Sequence, residues 1–180
     1  GGTGTLVGDV APAYPSYGLG GCQSTTHGYG TGGYSQTLSP NTEVDHIDKF
    51  PFASDSDASD VGNLIAGSYT GAGAQSSTYG YHAGGGNQYG PGPSGAPRNW
   101  HDDINKFPFA SDTNATDVGN LIDSRVYLTA CESASYMYCM GGNTEPTDVW
   151  NTIQKISFSS DGNASDVADL TTAAKALSAC

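Results

Sequence analysis

The chain is short of positive charge. It carries 6 Lys and Arg against 18 Asp and Glu, a formal net charge of −12 over 180 residues. Such a chain repels phosphate backbones and anionic membrane surfaces, which argues against nucleic-acid partners. Long apolar runs are also missing. No stretch reaches the ~18 consecutive apolar residues of a membrane helix, so no membrane insertion is expected. Cysteine is scarce: there are 4, with no C-x-x-C spacing and no clustered His, which speaks against a zinc site. The four His (27, 46, 82 and 101) are scattered, and no Ser sits in a G-x-S-x-G frame. Gly84-Gly85-Gly86 lacks the Lys-Ser/Thr pair of a phosphate loop. With no nucleophile arrangement and no acid pair, an enzyme is not expected. The chain opens on Gly1-Gly2-Thr3-Gly4 rather than Met, as a processed or excerpted chain would, so no targeting segment reports its compartment.

What the chain has is repetition. His27-Gly28-Tyr29 with Gly32-Gly33 returns as Tyr79-Gly80-Tyr81 with Gly84-Gly85, then as Tyr136-Met137-Tyr138 with Gly141-Gly142. A second phrase follows each time: IDKFPFASDSDASDVGNL from Ile47, INKFPFASDTNATDVGNL from Ile104 and IQKISFSSDGNASDVADL from Ile153. A period of roughly 50 residues marks a solenoid, propeller or tandem array. We divide the chain into units 13–64, 65–121 and 122–170, with partial units 1–12 and 171–180. The first of these partial units reads as the tail of a preceding unit and the second as the start of a following one.

Each unit reads as four short strands, and the expected fold class is all-β, a single array of kelch- or propeller-like units. In the third unit the strands fall near residues 126–131, 134–140, 152–158 and 165–170. Ile156 and Phe158 share a face by alternation, as Phe50/Phe52 and Phe107/Phe109 do. Residues 170–179 have some helical character, but the repeat register favours a strand. Paired Gly after the aromatic strand points to positive φ and close backbone approach. Pro51 and Pro108 interrupt the third strand, which should therefore lie outward or carry a bulge. Missing strand partners at the two ends predict either completion of a fourth blade within the chain or pairing with another subunit.

The connector between the Gly pair and the third strand varies most, at 13, 18 and 10 residues in the three units. Insertions in repeat arrays collect on one face, often the binding face. In the longest connector Tyr89, Arg98, Trp100 and His101 are the candidate contacts, in a lectin-like use of aromatic platforms on host glycans. The same stretch also reads as a connector with one Trp capping an apolar edge.

Three features admit two readings each. Asp55/Asp57/Asp60, Asp112/Asn114/Asp117 and Asp161/Asn163/Asp166 repeat a spacing that could begin a Ca²⁺ site, yet turn chemistry explains the same residues without a metal. No other cofactor is indicated. Cys22 and Cys131 share a repeat position with Ala74, as small core residues would, and Cys131–Cys139 is the plausible disulfide if the two lie on adjacent strands. Asn114-Ala115-Thr116 and Asn163-Ala164-Ser165 match glycosylation sequons, more simply by-products of the repeated turn.

The four-strand order, the aromatic strand ending in Gly-Gly, the variable loop and the Leu121-x-x-x-Arg125 opening together resemble the kelch repeat of β-propellers. Val61, Val118 and Val167 stand where that repeat has Trp. The phrases QSTTHGYGTGG and IDKFPFASDSDASDVGNL are similar to repeats in virion structural and tail-fibre-like proteins of cyanobacterial tailed phages. That resemblance implies a component of a virus particle, located in the virion or outside the cell, and carries over no catalytic residues. Its expected partners are copies of itself or neighbouring virion proteins, with a glycan-binding adhesin as the alternative.

Overall fold

The computed structural model describes residues 16–38, 42–87, 99–145 and 148–177. The described residues are all-β, with no helix among them. Three four-stranded antiparallel sheets follow one another, each a meander with its strands in chain order. The first sheet is Gly20–Gln23, His27–Thr31, His46–Pro51 and Ser59–Asn63. The second is Ala72–Gln75, Tyr79–Ala83, Asp103–Pro108 and Thr116–Asn120. The third is Thr129–Glu132, Tyr136–Met140, Thr152–Ser157 and Ser165–Asp169. Short hairpins occupy the variable connectors, such as Gly86–Asn87 paired with Asn99–Trp100.

Local chemistry sets the turns. Between the first two strands Ser24 Oγ accepts the backbone N–H groups of Thr26 and His27. Ser76 and Ser133 do the same in the later units, which explains a Ser at that repeat position. After the second strand the Gly pairs all take positive φ, as expected, from 65° to 116°. A Cβ on Gly32 would lie 2.4 Å from the Ser68 carbonyl oxygen, and one on Gly141 2.4 Å from that of Ala174. Conformation and close approach both demand glycine there.

Of the two alternatives for the proline-bearing third strand, the bulge is present and the outward position is not. The third strand is interior to each sheet, between the second and fourth, and Pro51 and Pro108 are its last residues. Register shifts do occur in that strand, but between His46 and Asp48 and between Asp103 and Asn105, at the other end. The third unit shifts too, at Ile153/Gln154, without a proline. Proline therefore closes the strand and does not cause the bulge. Residues 170–177 are neither helix nor strand, and 178–180 lie outside the described residues.

The sheets stack face to face, without closing into a propeller. One face of the first sheet offers Tyr29, Ile47 and Leu64 to Phe107 and Ala115 of the second. The opposite face of the second sheet offers Ala74, Tyr81, Ile104 and Leu121 to Met137, Cys139 and Ile156 of the third. We call these the forward face and, on the receiving sheet, the back face. Tyr29 stacks on Phe109 at 5.0 Å between ring centroids, and Tyr81 meets Phe158 at the same distance. On the back face each residue of the third strand lies over its partner on the second. The Phe107 ring crosses Gly80, where a Cβ would meet it at 2.3 Å. In the third unit Met137 and Ile156 form that pair, the lost ring volume returning as the methionine side chain.

A second ladder runs along the stack outside the sheets. Thr70 N–H donates to the Gly18 carbonyl at 2.8 Å, Tyr127 N–H to Thr70 at 3.1 Å, and Ala176 N–H to Tyr127 at 2.9 Å. All four residues have positive φ, at 73°, 58°, 55° and 55°. Three of them are not glycine, an unfavourable conformation that the inter-unit bonds hold in place.

Candidate functional site

The polar chemistry of the repeated phrase converges on the joints between sheets. Lys49 Nζ reaches Asp112 Oδ1 of the next unit at 2.7 Å, and Lys106 reaches Asp161 at 2.6 Å. Asn114 Oδ1 accepts the Asn63 N–H and Asn163 Oδ1 accepts the Asn120 N–H, both at 3.1 Å. Beside these, Ala115 N–H donates to the Asn63 carbonyl and Ala164 N–H to that of Asn120. Deeper in, Asn105 Oδ1 accepts the Ile65 N–H and Gln154 Oε1 accepts the Ile122 N–H. Two successive joints thus use the same set of bonds in the same places.

This accounts for the carboxylate spacing singled out above. Asp112 and Asp161 bind lysines, Asn114 and Asn163 bind backbone N–H groups, and Asp60 and Asp117 each accept the N–H two residues on. Asp55, Asp57 and Asp166 are exposed. Among the described residues no group of three or more His, Cys, Asp or Glu comes together. Turn chemistry was half of the answer; the other half is attachment to the neighbouring unit. Asn114→Ala should lower stability by about 1 kcal/mol, the net value of one hydrogen bond. Asn114→Asp, which keeps the acceptor, should lose less than half as much, measured as urea midpoints at constant m-value.

Two buried polar groups fill the joints. His82 is fully buried, its Nδ1 2.8 Å from Thr31 Oγ1 and its Nε2 2.8 Å from Ser68 Oγ. Each hydroxyl also has a carbonyl within reach, Ser68 that of Gly84 at 3.0 Å and Thr31 that of Gly20 at 3.3 Å; a neutral imidazole donates to one hydroxyl and accepts from the other. Burial first, and the charge of His101 second, pull the imidazole down to about 4. Arg125, 1% exposed, lies over the Trp150 ring at 4.8 Å. Its guanidinium donates to the Gly141 carbonyl and pairs with Asp123, both at 3.3 Å. Nothing local in the sequence marks His82 as a side chain that bridges units; Arg125 stood out only as the end of the Leu121-x-x-x-Arg125 opening, and its side-chain partners all lie in its own unit while its backbone bonds His101 and Gly85 of the unit before.

The cysteines separate by register. Ala130 lies opposite Cys139, and Cys131 opposite Tyr138. Adjacent strands do carry Cys131 and Cys139, but the side chains leave opposite faces of the sheet, so the expected disulfide is not formed. Cys22, half-buried, and Cys139, buried, are free thiols that desolvation pushes up to about 12, which favours the protonated form.

Of the four connector residues, Tyr89 and Arg98 lie outside the described residues. Trp100 is half-buried at the end of its hairpin, with its Nε1 buried. His101 is half-buried and fixed by its backbone, donating to Gly85 and accepting from Arg125. An open groove of about 460 Å³ runs along the inner edges of the sheets, past Cys22, Tyr29, Phe50, Phe52, Gln75 and Glu132. Inside it Gln23 N–H donates to Gln75 Oε1 and Gln75 Nε2 to Glu132, a polar rung at one repeat position.

No protein-family model matches the chain, and no curated protein matches it.

Proposed function

We propose that this chain is a non-catalytic structural component of a virus particle, a tail, fibre or surface module of kelch-like β units. The observation that carries the reading is the use of the repeated phrase. Its lysines, aspartates and asparagines hold one sheet to the next. A chain whose most repeated residues serve attachment is organised as a building element. The virion location rests on the likeness of its two phrases to those of cyanobacterial phage proteins, and the acidic charge suits a particle in salt water. Antibodies raised against the chain should decorate the tail or surface of purified phage particles that carry it, as seen in negative stain. Label confined to host material, with bare particles, would overturn the proposal.

A glycan-binding adhesin is the second reading, favoured by the half-buried Trp100 on a short hairpin of the longest variable connector. Glycan-array binding that disappears in Trp100→Ala, with the fold unchanged by circular dichroism, would select it. No glycan signal alongside labelled particles selects the structural role.

A further inference from the structure

The forward face of the third sheet carries the residues that the first two sheets use for joining, yet no sheet among the described residues covers it. Ile47 and Ile104 are fully buried, while Ile153 at the same position is half-buried. Leu64 and Leu121 are buried, whereas Leu170 is half-exposed. Tyr29 and Tyr81 are buried against a phenylalanine, but Tyr138 is only half-buried. The fourth strand, Ser165–Asp169, is exposed throughout. Lys155 stands where Lys49 and Lys106 do. Its ammonium rests over the Tyr136 ring at 4.6 Å, and no carboxylate among the described residues pairs with it.

The back face of the first sheet shows the complementary set. Phe50 and Phe52 occupy the positions of Phe107 and Phe109 and are 37% and 52% exposed, against 2% for Phe107. Asp55 stands where Asp112 and Asp161 take their lysines, exposed and with no cation partner among the described residues. Within the chain this pairing already occurs twice.

We propose that the forward face of the third sheet docks on the back face of the first sheet in a second copy of this chain. The joint continues the established one: Tyr138 packs on Phe52 as Tyr29 packs on Phe109, and Lys155 pairs with Asp55. Opposite charge at the rim and continuity with two existing interfaces select another copy as the occupant. The contact is head to tail, so it closes into a ring or extends as a filament. This inference rests on the reading of the chain as an assembling structural repeat, and it names the partner and the faces.

Charge reversal at half-buried Lys155 and exposed Asp55 tests it, with circular dichroism checking that each variant keeps the fold. In sedimentation velocity the 180-residue chain should gain mass with concentration. Lys155→Asp or Asp55→Lys alone should weaken self-association about tenfold, as attraction at each joint becomes repulsion. An equimolar mixture of the two variants, in which every joint again pairs Lys with Asp, should regain the original association. A monomer at every concentration would overturn the proposal, as it would if the face belongs to a further unit or a different protein. Association unaffected by either reversal, or variants that do not rescue one another, would overturn it equally. Particle labelling is read separately, so a monomeric chain that still decorates particles would sink this joint and leave the proposed function standing.

Discussion

Truncating Phe107 to Ala should destabilise the chain by about 3–5 kcal/mol, the usual cost of removing a buried phenylalanine, while Phe50→Ala in a monomeric preparation should cost under about 1 kcal/mol. The two residues occupy one repeat position, and each ring crosses the glycine opposite it. They differ in what covers them. Phe107 is 2% exposed, wedged between its own sheet and Tyr29 of the unit before, whereas Phe50 is 37% exposed. Local sequence is nearly identical around the two, so strand propensity and turn chemistry cancel in the comparison. The remaining difference is the face-to-face joint. Equal losses in chemical denaturation would mean that sheets are stabilised one by one and that stacking contributes little.

The second large effect is acid sensitivity. The folded state holds His82 neutral, with its pKa lowered from the ordinary 6.5 to about 4. Its contribution is therefore fully present above pH 6.5 and is lost as pH falls toward 4, because over that window the unfolded chain binds the proton more readily. The shift corresponds to about 3 kcal/mol. Burial raises the carboxyls of Asp48, Asp103 and Glu132, and these act with the opposite sign, favouring the fold as pH falls. The informative quantity is thus the difference between the wild type and His82→Gln, which keeps a donor and an acceptor but does not titrate. Denaturation midpoints of the two proteins should converge between pH 6.5 and 4. Parallel pH profiles would show that His82 takes up its proton without cost, contrary to its burial between Thr31 and Ser68.

Much of the fold was legible because it depends on local patterns. Alternation at Phe107/Phe109 and the Gly84-Gly85 pair each act within a few residues, and the repeats showed each pattern three times; the turn serines are equally local but went unread. Four strands per unit followed from that. What escaped was set by register and by stacking. The side-chain parity of Cys131 and Cys139 depends on pairing between strands, which spacing along the chain does not reveal, and a shift of one residue would have reversed it. Asp112, Asn114 and Asp161 looked like turn residues or cation ligands because each of those roles uses the same oxygens. Their partners lie about one repeat away, on the preceding unit. His82 was opaque for the same reason: it is satisfied by Thr31 of one unit and Ser68 of the next, and no single unit contains the motif.

The ladder through Gly18, Thr70, Tyr127 and Ala176 adds one bond per unit and is indifferent to how many units it joins. That makes the array readable as a tape. The phrases beginning at Ile47 and Ile104 are nearly the same in wording, so unequal crossing-over within them would remove or insert one complete module in frame. A module gained or lost at that point would carry its own lysine, aspartate and asparagine for the seams on either side.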